Sequence, residues 1–220
     1  MKKNYVFSSE SVTEGHPDKL CDQVSDAIVD QFLQRDRFSR VIAECAVSTS
    51  IVFIAARFAS DAKIDIPGVA RRVIAEIGYD RHQFNSKTCS VLTSLQELPV
   101  DELCCFDERN LSEREIENIT ARNQVTVFGF ACNHTRDLMP LPVYLAHKLS
   151  KQISNVRRSR LIPYLAPEAK TDVGVEYRNR RPHRIFNITI TAGQMEPGTP
   201  ALSRLREEIR ELVYRSGVSG

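Results

Sequence analysis

Tryptophan is absent from the 220 residues, and aromatic side chains of all kinds make up only 7% of them. A core in this chain must therefore be built from aliphatic side chains. Long apolar runs are missing too. The longest, Ile51 to Ala56, has the length of a strand, whereas a bilayer-crossing helix needs about 20 residues. Lys2 and Lys3 are followed within a few residues by serines and glutamates, so no secretory leader is expected. Nor is there an excess of charge: 30 Lys and Arg against 28 Asp and Glu leave +2, which argues neither for an electrostatic nucleic-acid footprint nor for a membrane-binding surface. The cysteines Cys21, Cys45, Cys89, Cys104, Cys105 and Cys132 have no CxxC spacing, which argues against zinc; reduced thiols of a cytoplasmic protein are expected. What remains is ordinary globular material, 42% hydrophobic and 26% charged, enough for one large domain or two small ones.

Strand-like and helix-like segments alternate. Tyr5 to Ser8 reads as a short strand. Pro17 to Arg35 reads as a helix, with Leu20, Val24, Ala27, Ile28, Gln31 and Phe32 on one face. Asp22, Asp26 and Asp30 form a second stripe, read as solvated. Arg40–Val47 and Ile51–Phe58 suggest a hairpin, and Asp65-Ile66-Pro67 opens a helix that stops at Gly78. Thr88–Leu95 is apolar enough for a central strand. The acidic segment from Glu97 to Asn123, with a weak helix over Glu113–Ile119, has the character of a lid or a disordered stretch. Val125–Cys132 reads as a strand in which Gly129 permits close backbone approach. Leu141–Val156 is an amphipathic helix with a basic end, Arg157-Arg158-Ser159-Arg160, that complements its dipole. Strands at Asp172–Arg178 and Arg184–Thr191 flank a turn at Asn179–His183, and a Gly/Pro linker leads to a terminal helix, Ala201–Arg215. The pattern is α+β, with antiparallel strands covered by helices on one face.

Ser8-Ser9-Glu10-Ser11-Val12-Thr13-Glu14-Gly15-His16-Pro17-Asp18-Lys19 is a polar run that feeds the first helix. Pro17 suits the first helical position, and Asp18 lies in the first turn. Free N–H groups and the positive end of the helix dipole then point towards His16. Such an end attracts phosphate; Lys19 adds a cation, while Asp18 and the two glutamates offer oxygens to Mg²⁺ riding on that phosphate. A nucleotide triphosphate would suit the run, and a well-capped helix start alone would also explain it. His82, His134, His147 and His183 have no partner at ligand spacing and read as packing or surface residues.

This run, continued by Cys21-Asp22-Gln23-Val24-Ser25-Asp26-Ala27, resembles the opening signature of the methionine adenosyltransferases (S-adenosylmethionine synthetases). Ile77-Gly78-Tyr79, Cys89-Ser90-Val91-Leu92, Phe128-Gly129-Phe130-Ala131, Leu138-Met139-Pro140, Ala146-His147-Lys148-Leu149 and Pro167-Glu168-Ala169-Lys170 follow in the family's order. The resemblance implies two of the family's three α+β repeats, over 1–120 and 121–220, interleaved at their boundary. It implies a reaction in which methionine sulfur attacks C5′ of ATP and the triphosphate leaves, to be cleaved to pyrophosphate and phosphate. By resemblance His16 and Lys170 contact the triphosphate, Asp18 holds Mg²⁺, Glu44 matches the family's K⁺-site glutamate, and Glu10 matches a further acidic site residue.

The departures fall on the amino-acid pocket. Arg57 stands where the family has a glutamate facing the methionine ammonium. Arg122-Asn123-Gln124-Val125 replaces Gly-Asp-Gln-Gly, which makes a carboxylate into the amide of Asn123, and the lid glutamine is matched by Leu98 or, with a gap, by Gln96. Family members also continue into a segment carrying further lysines, arginines and a metal-binding aspartate. The expectation is therefore one subunit of a hetero-oligomer, a partner chain supplying what is missing. A non-catalytic scaffold or regulatory paralogue is the other reading, and a truncated enzyme a third that would leave Arg57 unexplained.

Overall fold

The computed structural model describes residues 3–80, 84–99, 108–119, 124–195 and 200–215. Two three-stranded sheets carry the fold. Strand β1 (Tyr5–Val12) runs into helix α1 (Pro17–Arg35), then the hairpin β2 (Arg40–Ser48) and β3 (Ile51–Ala59), helix α2 (Ile66–Ile77) and strand β4 (Ser90–Glu97). After the short α3 (Glu113–Glu117) come α4 (Leu141–Arg158), the long hairpin β5 (Leu165–Arg178) and β6 (Arg181–Gln194), and α5 (Leu202–Ile209), which passes into a π-helical turn at Arg210–Arg215. The helix spacing read from the sequence holds. On α1, Leu20, Val24, Ile28 and Phe32 are buried, while Asp22, Asp26 and Asp30 face solvent. On α2, the Asp65 carboxylate accepts the Gly68 N–H, and Gly78 ends the helix at φ 111°, a left-handed conformation that suits glycine.

The first sheet has the order β2-β3-β4, and its inner face packs on α1 and α2. The antiparallel expectation holds for β2–β3 but not for β3–β4, which pair in parallel from Ile51–Ser90 to Phe58–Glu97. The reason is the connection: α2 crosses over between the two strands and returns the chain to the starting end of β3. β4 is also not central. It is an edge strand, as β2 is on the other side, with Leu92 and Leu95 exposed, because an apolar run reports on what covers a strand's faces and not on its place in the sheet.

The second sheet, β1-β5-β6, is antiparallel throughout and packs on α4 and the terminal helix. It extends the expected strand Tyr5–Ser8 through the polar stretch Ser9–Val12, which is strand because it pairs with Lys170–Val173. The β5–β6 turn is tighter than Asn179–His183: Asn179 (φ 50°) and Arg180 (φ 65°) form a two-residue connection of the kind that suits hairpin twist. Val125–Cys132 is not a strand. Gln124–Cys132 has no regular structure, Val125 and Phe128 are 84% and 92% exposed, and nothing approaches the open side of Gly129. Without a neighbouring strand its alternating apolar residues have no sheet to join. Asn123, His82, Cys104, Cys105 and parts of the expected lid, residues 100–107 and 120–123, lie outside the described residues. Among the described residues no helix is long and apolar enough to cross a membrane.

Candidate phosphate site at the start of α1

The turn between β1 and α1 is held against β5 by backbone contacts. The Thr13 N–H donates to the Ala169 carbonyl (3.0 Å), the Thr13 hydroxyl donates to the Pro167 carbonyl (2.7 Å), and the same oxygen accepts the Ala169 N–H (2.7 Å). Gly15 comes so close that a Cβ there would lie 2.4 Å from the Pro167 carbonyl carbon. Its carbonyl accepts from the buried Tyr79 hydroxyl at 2.6 Å, and burial pushes that phenol up to about 12.

His16 caps α1. Its Nδ1 accepts the Asp18 N–H at 3.3 Å, which leaves the proton on Nε2 in the neutral ring. That ring edges a cavity of about 580 Å³ lined also by Glu10, Glu168, Lys170, Asp172 and Thr191. Strand alternation explains the company: Glu10 lies opposite Asp172 and Val12 opposite Lys170, which sets Glu10, Lys170 and Asp172 on the face of the sheet turned away from α4. The Lys170 ammonium sits 2.6 Å from the Glu10 carboxylate, so the cation is held in place by a neighbouring acid. Nothing local in the sequence marks Asp172 or Glu168 as a site residue. The β1–β5 register was the signal for Asp172, and it requires knowing that the first strand pairs with one more than 150 residues later.

The other expected site residues are distributed differently. Asp18 sits beside His16, with its carboxylate 91% exposed and 3.8 Å from Nδ1. Lys19 does not share the His16 cavity; it lines a separate hollow on the other side of the sheet. Glu14 does not offer its oxygens to a metal. Its carboxylate is 12% exposed and accepts from Ser154, from Arg157 (2.5 Å) and from Arg158 (2.9 Å). Burial alone would raise its pKa, but the Ser154 hydroxyl, a backbone hydrogen bond and the Arg157 guanidinium together outweigh burial and hold it at about 2. The basic end of α4 thus does more than complement a dipole, since Arg157 and Arg158 neutralise this buried acid. Glu44, Arg57 and Gln96 are on the outer face of the first sheet, where Arg57 is directly opposite Gln96. None of the three lines either hollow. Gln124 is exposed on the irregular segment.

No group of three His, Cys, Asp or Glu among the described residues is placed to hold a metal. Mg²⁺ commonly takes one or two carboxylates and completes its shell with water and phosphate. The exposed Asp18, next to the helix end, fits that requirement. Glu44 is exposed on a sheet face whose other residues near it are largely apolar. A wider cavity of about 800 Å³ between β6 and α5 has no carboxylate, histidine or lysine in its lining.

The sequence matches known domains over most of its length. Residues 4–99 match the S-adenosylmethionine synthetase N-terminal domain, and residues 118–219 match the central domain of the same enzyme. The chain belongs to the S-adenosylmethionine synthetase family. Within that family assignment the two sheets correspond to parts of two successive domains, though β1, which opens the N-terminal match, is hydrogen-bonded into the sheet of the central one.

Proposed function

We propose that the chain is the phosphate-holding subunit of an ATP:L-methionine S-adenosyltransferase, with a partner chain completing the active site. The observation that supports this most is the meeting of His16, Lys170 and Glu10 on one open cleft at the N-terminus of α1, in a chain of this family. A thioether sulfur has no proton to lose, so attack on C5′ of ATP needs no base from the protein. The demand lies in the departing triphosphate, whose charge needs donors fixed in advance. His16 presents Nε2–H from a capped ring, and Lys170 presents an ammonium that exchanges Glu10 for phosphate oxygen. Asp18 would hold Mg²⁺, which when bound supplies charge neutralisation on the phosphates. The lysines and arginines still required would come from the partner.

The partner's docking face is assigned to the first sheet. Ile42, Ile51, Phe53 and Leu92 are exposed on its outer side, with Phe53 directly opposite Leu92, and Glu44, Arg57 and Gln96 stand among them. Phe53→Asp is expected to leave the chain folded and to weaken partner binding about tenfold or more. Co-purification of the two chains checks this.

The proposal is tested by S-adenosylmethionine formation by the chain alone, by its partner and by both. Activity is expected only from the pair, and His16→Ala is expected to lower it on the order of 10²-fold, with a smaller loss for Asp18→Asn. Full activity in both variants would remove this chain from the chemistry. A second reading, a scaffold subunit that binds nucleotide without turnover, is favoured by Arg57, a cation where an ammonium substrate would need an acid. No product from any combination, with ATP still bound, would select it.

A further inference from the structure

On the helix side of the β1-β5-β6 sheet, behind the cleft, lies a second hollow of about 380 Å³ between the β1–α1 turn and α4. Strand alternation separates the two: Glu10 points to the cleft, whereas Ser11 turns towards α4 and bonds His147 Nδ1 at 2.8 Å. The hollow is lined by Lys19, His147, Lys151, Asn155 and Arg158, and Glu14 is its one acid. That acid is already matched. Arg157 and Arg158 both bond it, so the group of three carries a net positive charge before the lysines are counted. Lys19 and Lys151 have no ion-pair partner among the described residues. Arg158 uses only its Nε–H on Glu14 and keeps its terminal nitrogens for a ligand. With His147 engaged by Ser11, four side chains able to donate to an anion, Lys19, Lys151, Asn155 and Arg158, thus come from the first turn of α1 and from α4, around a space with ample room for a phosphate group.

We propose that this hollow is a second anion site, built for a phosphate group and distinct from the cleft that holds His16. Compact multiple charge is what it selects: two free ammonium groups and a guanidinium favour phosphate over a single carboxylate, and the spent Glu14 removes the repulsion an anion would otherwise meet. The site does not depend on the reaction proposed above, because none of its residues except the loop they share touches the cleft.

The experiment is titration of the full-length chain with pyrophosphate, and separately with AMP, at constant ionic strength. It is read by calorimetry in a Lys170→Ala background that disables the cleft. Lys170→Ala protein is expected to retain binding of at least one of the two ligands. Adding Lys151→Glu should weaken that binding roughly tenfold to a hundredfold, the loss of one charge-assisted contact plus repulsion. Lys151 is exposed on α4, so the fold should survive; Lys151→Gln serves if the glutamate variant does not fold, with a smaller loss in the same direction. Retention of binding by pyrophosphate alone identifies a free inorganic anion as the ligand, and retention of AMP identifies a nucleotide phosphate. No binding of either ligand in the Lys170→Ala background, or binding there that ignores Lys151, overturns the proposal.

Discussion

Gly15→Ala is expected to lower the melting temperature by roughly 6–12 °C, following from a cost of about 3 kcal/mol in a chain of this length. The added methyl would sit 2.4 Å from the Pro167 carbonyl carbon and 2.6 Å from its oxygen. Both are backbone atoms of β5 and cannot swing aside as a side chain would. The turn would have to lift off the strand. That displacement strains the Gly15 N–H bond to Pro167 (3.3 Å) and the buried bond from the Tyr79 hydroxyl, and it moves His16 next in sequence. Phosphate binding at the cleft proposed for it should therefore fall by more than the stability loss explains, even at a temperature where the variant is fully folded. Gly129→Ala is the matched control: nothing lies within 4 Å of that position, so its melt should stay within a degree or two of the parent. Thermal melts of the three proteins, with phosphate titrations below the transitions, check the expectation. Equal melts for Gly15→Ala and Gly129→Ala would show that the turn does not press on β5.

Where local chemistry decides the structure, the sequence was readable. The bounds of α1 follow from Pro17 and a 3.6-residue apolar repeat, and those of α2 from Asp65 and Gly78, because a helix closes its own hydrogen bonds and its caps lie within a few residues. His16, Asp18 and the helix end could be placed for the same reason. Contacts between distant segments were not readable. Ser9–Val12 is largely polar and becomes a strand only because β5 lies beside it, and Val125–Cys132 has the alternation of a strand but no neighbour to pair with. Lys19 and His16 are three residues apart and look like one anion site, yet the turn sends them to opposite sides of a sheet. Glu14 looked like a metal ligand in the company of Glu10. Its actual partners are Ser154, Arg157 and Arg158, some 140 residues on, and only the packing of α4 against the turn brings them there.

The same packing gives the protein an acid-sensitive joint. Glu14 is held at about 2, against an ordinary 4.5, and a displacement of that size is worth about 3 kcal/mol of folding stability. The folded-state value is the lower one, so the stabilisation is complete above 4.5, where the carboxylate is ionised in both folded and unfolded chains. It shrinks as pH falls from 4.5 towards 2 and is gone below that. Glu14→Gln should thus cost about 3 kcal/mol or more at neutral pH, since it leaves Arg157 buried beside an amide that cannot neutralise it. Arg157 also bonds the Ile77 carbonyl at the end of α2 (3.0 Å), so the loosened guanidinium frees the turn, α2 and α4 from one another together. Urea unfolding of parent and variant at about pH 7 and at about pH 3 tests this. The difference between them should be large at the higher pH and should narrow at the lower, where protonation has begun to do to the parent what the substitution does to the variant. A gap of the same size at both would mean that Glu14 is not ionised against the two arginines. The turn would then be held by the Thr13 and Gly15 bonds to β5, the Tyr79 hydroxyl and the Gln23 amide on the Glu14 carbonyl.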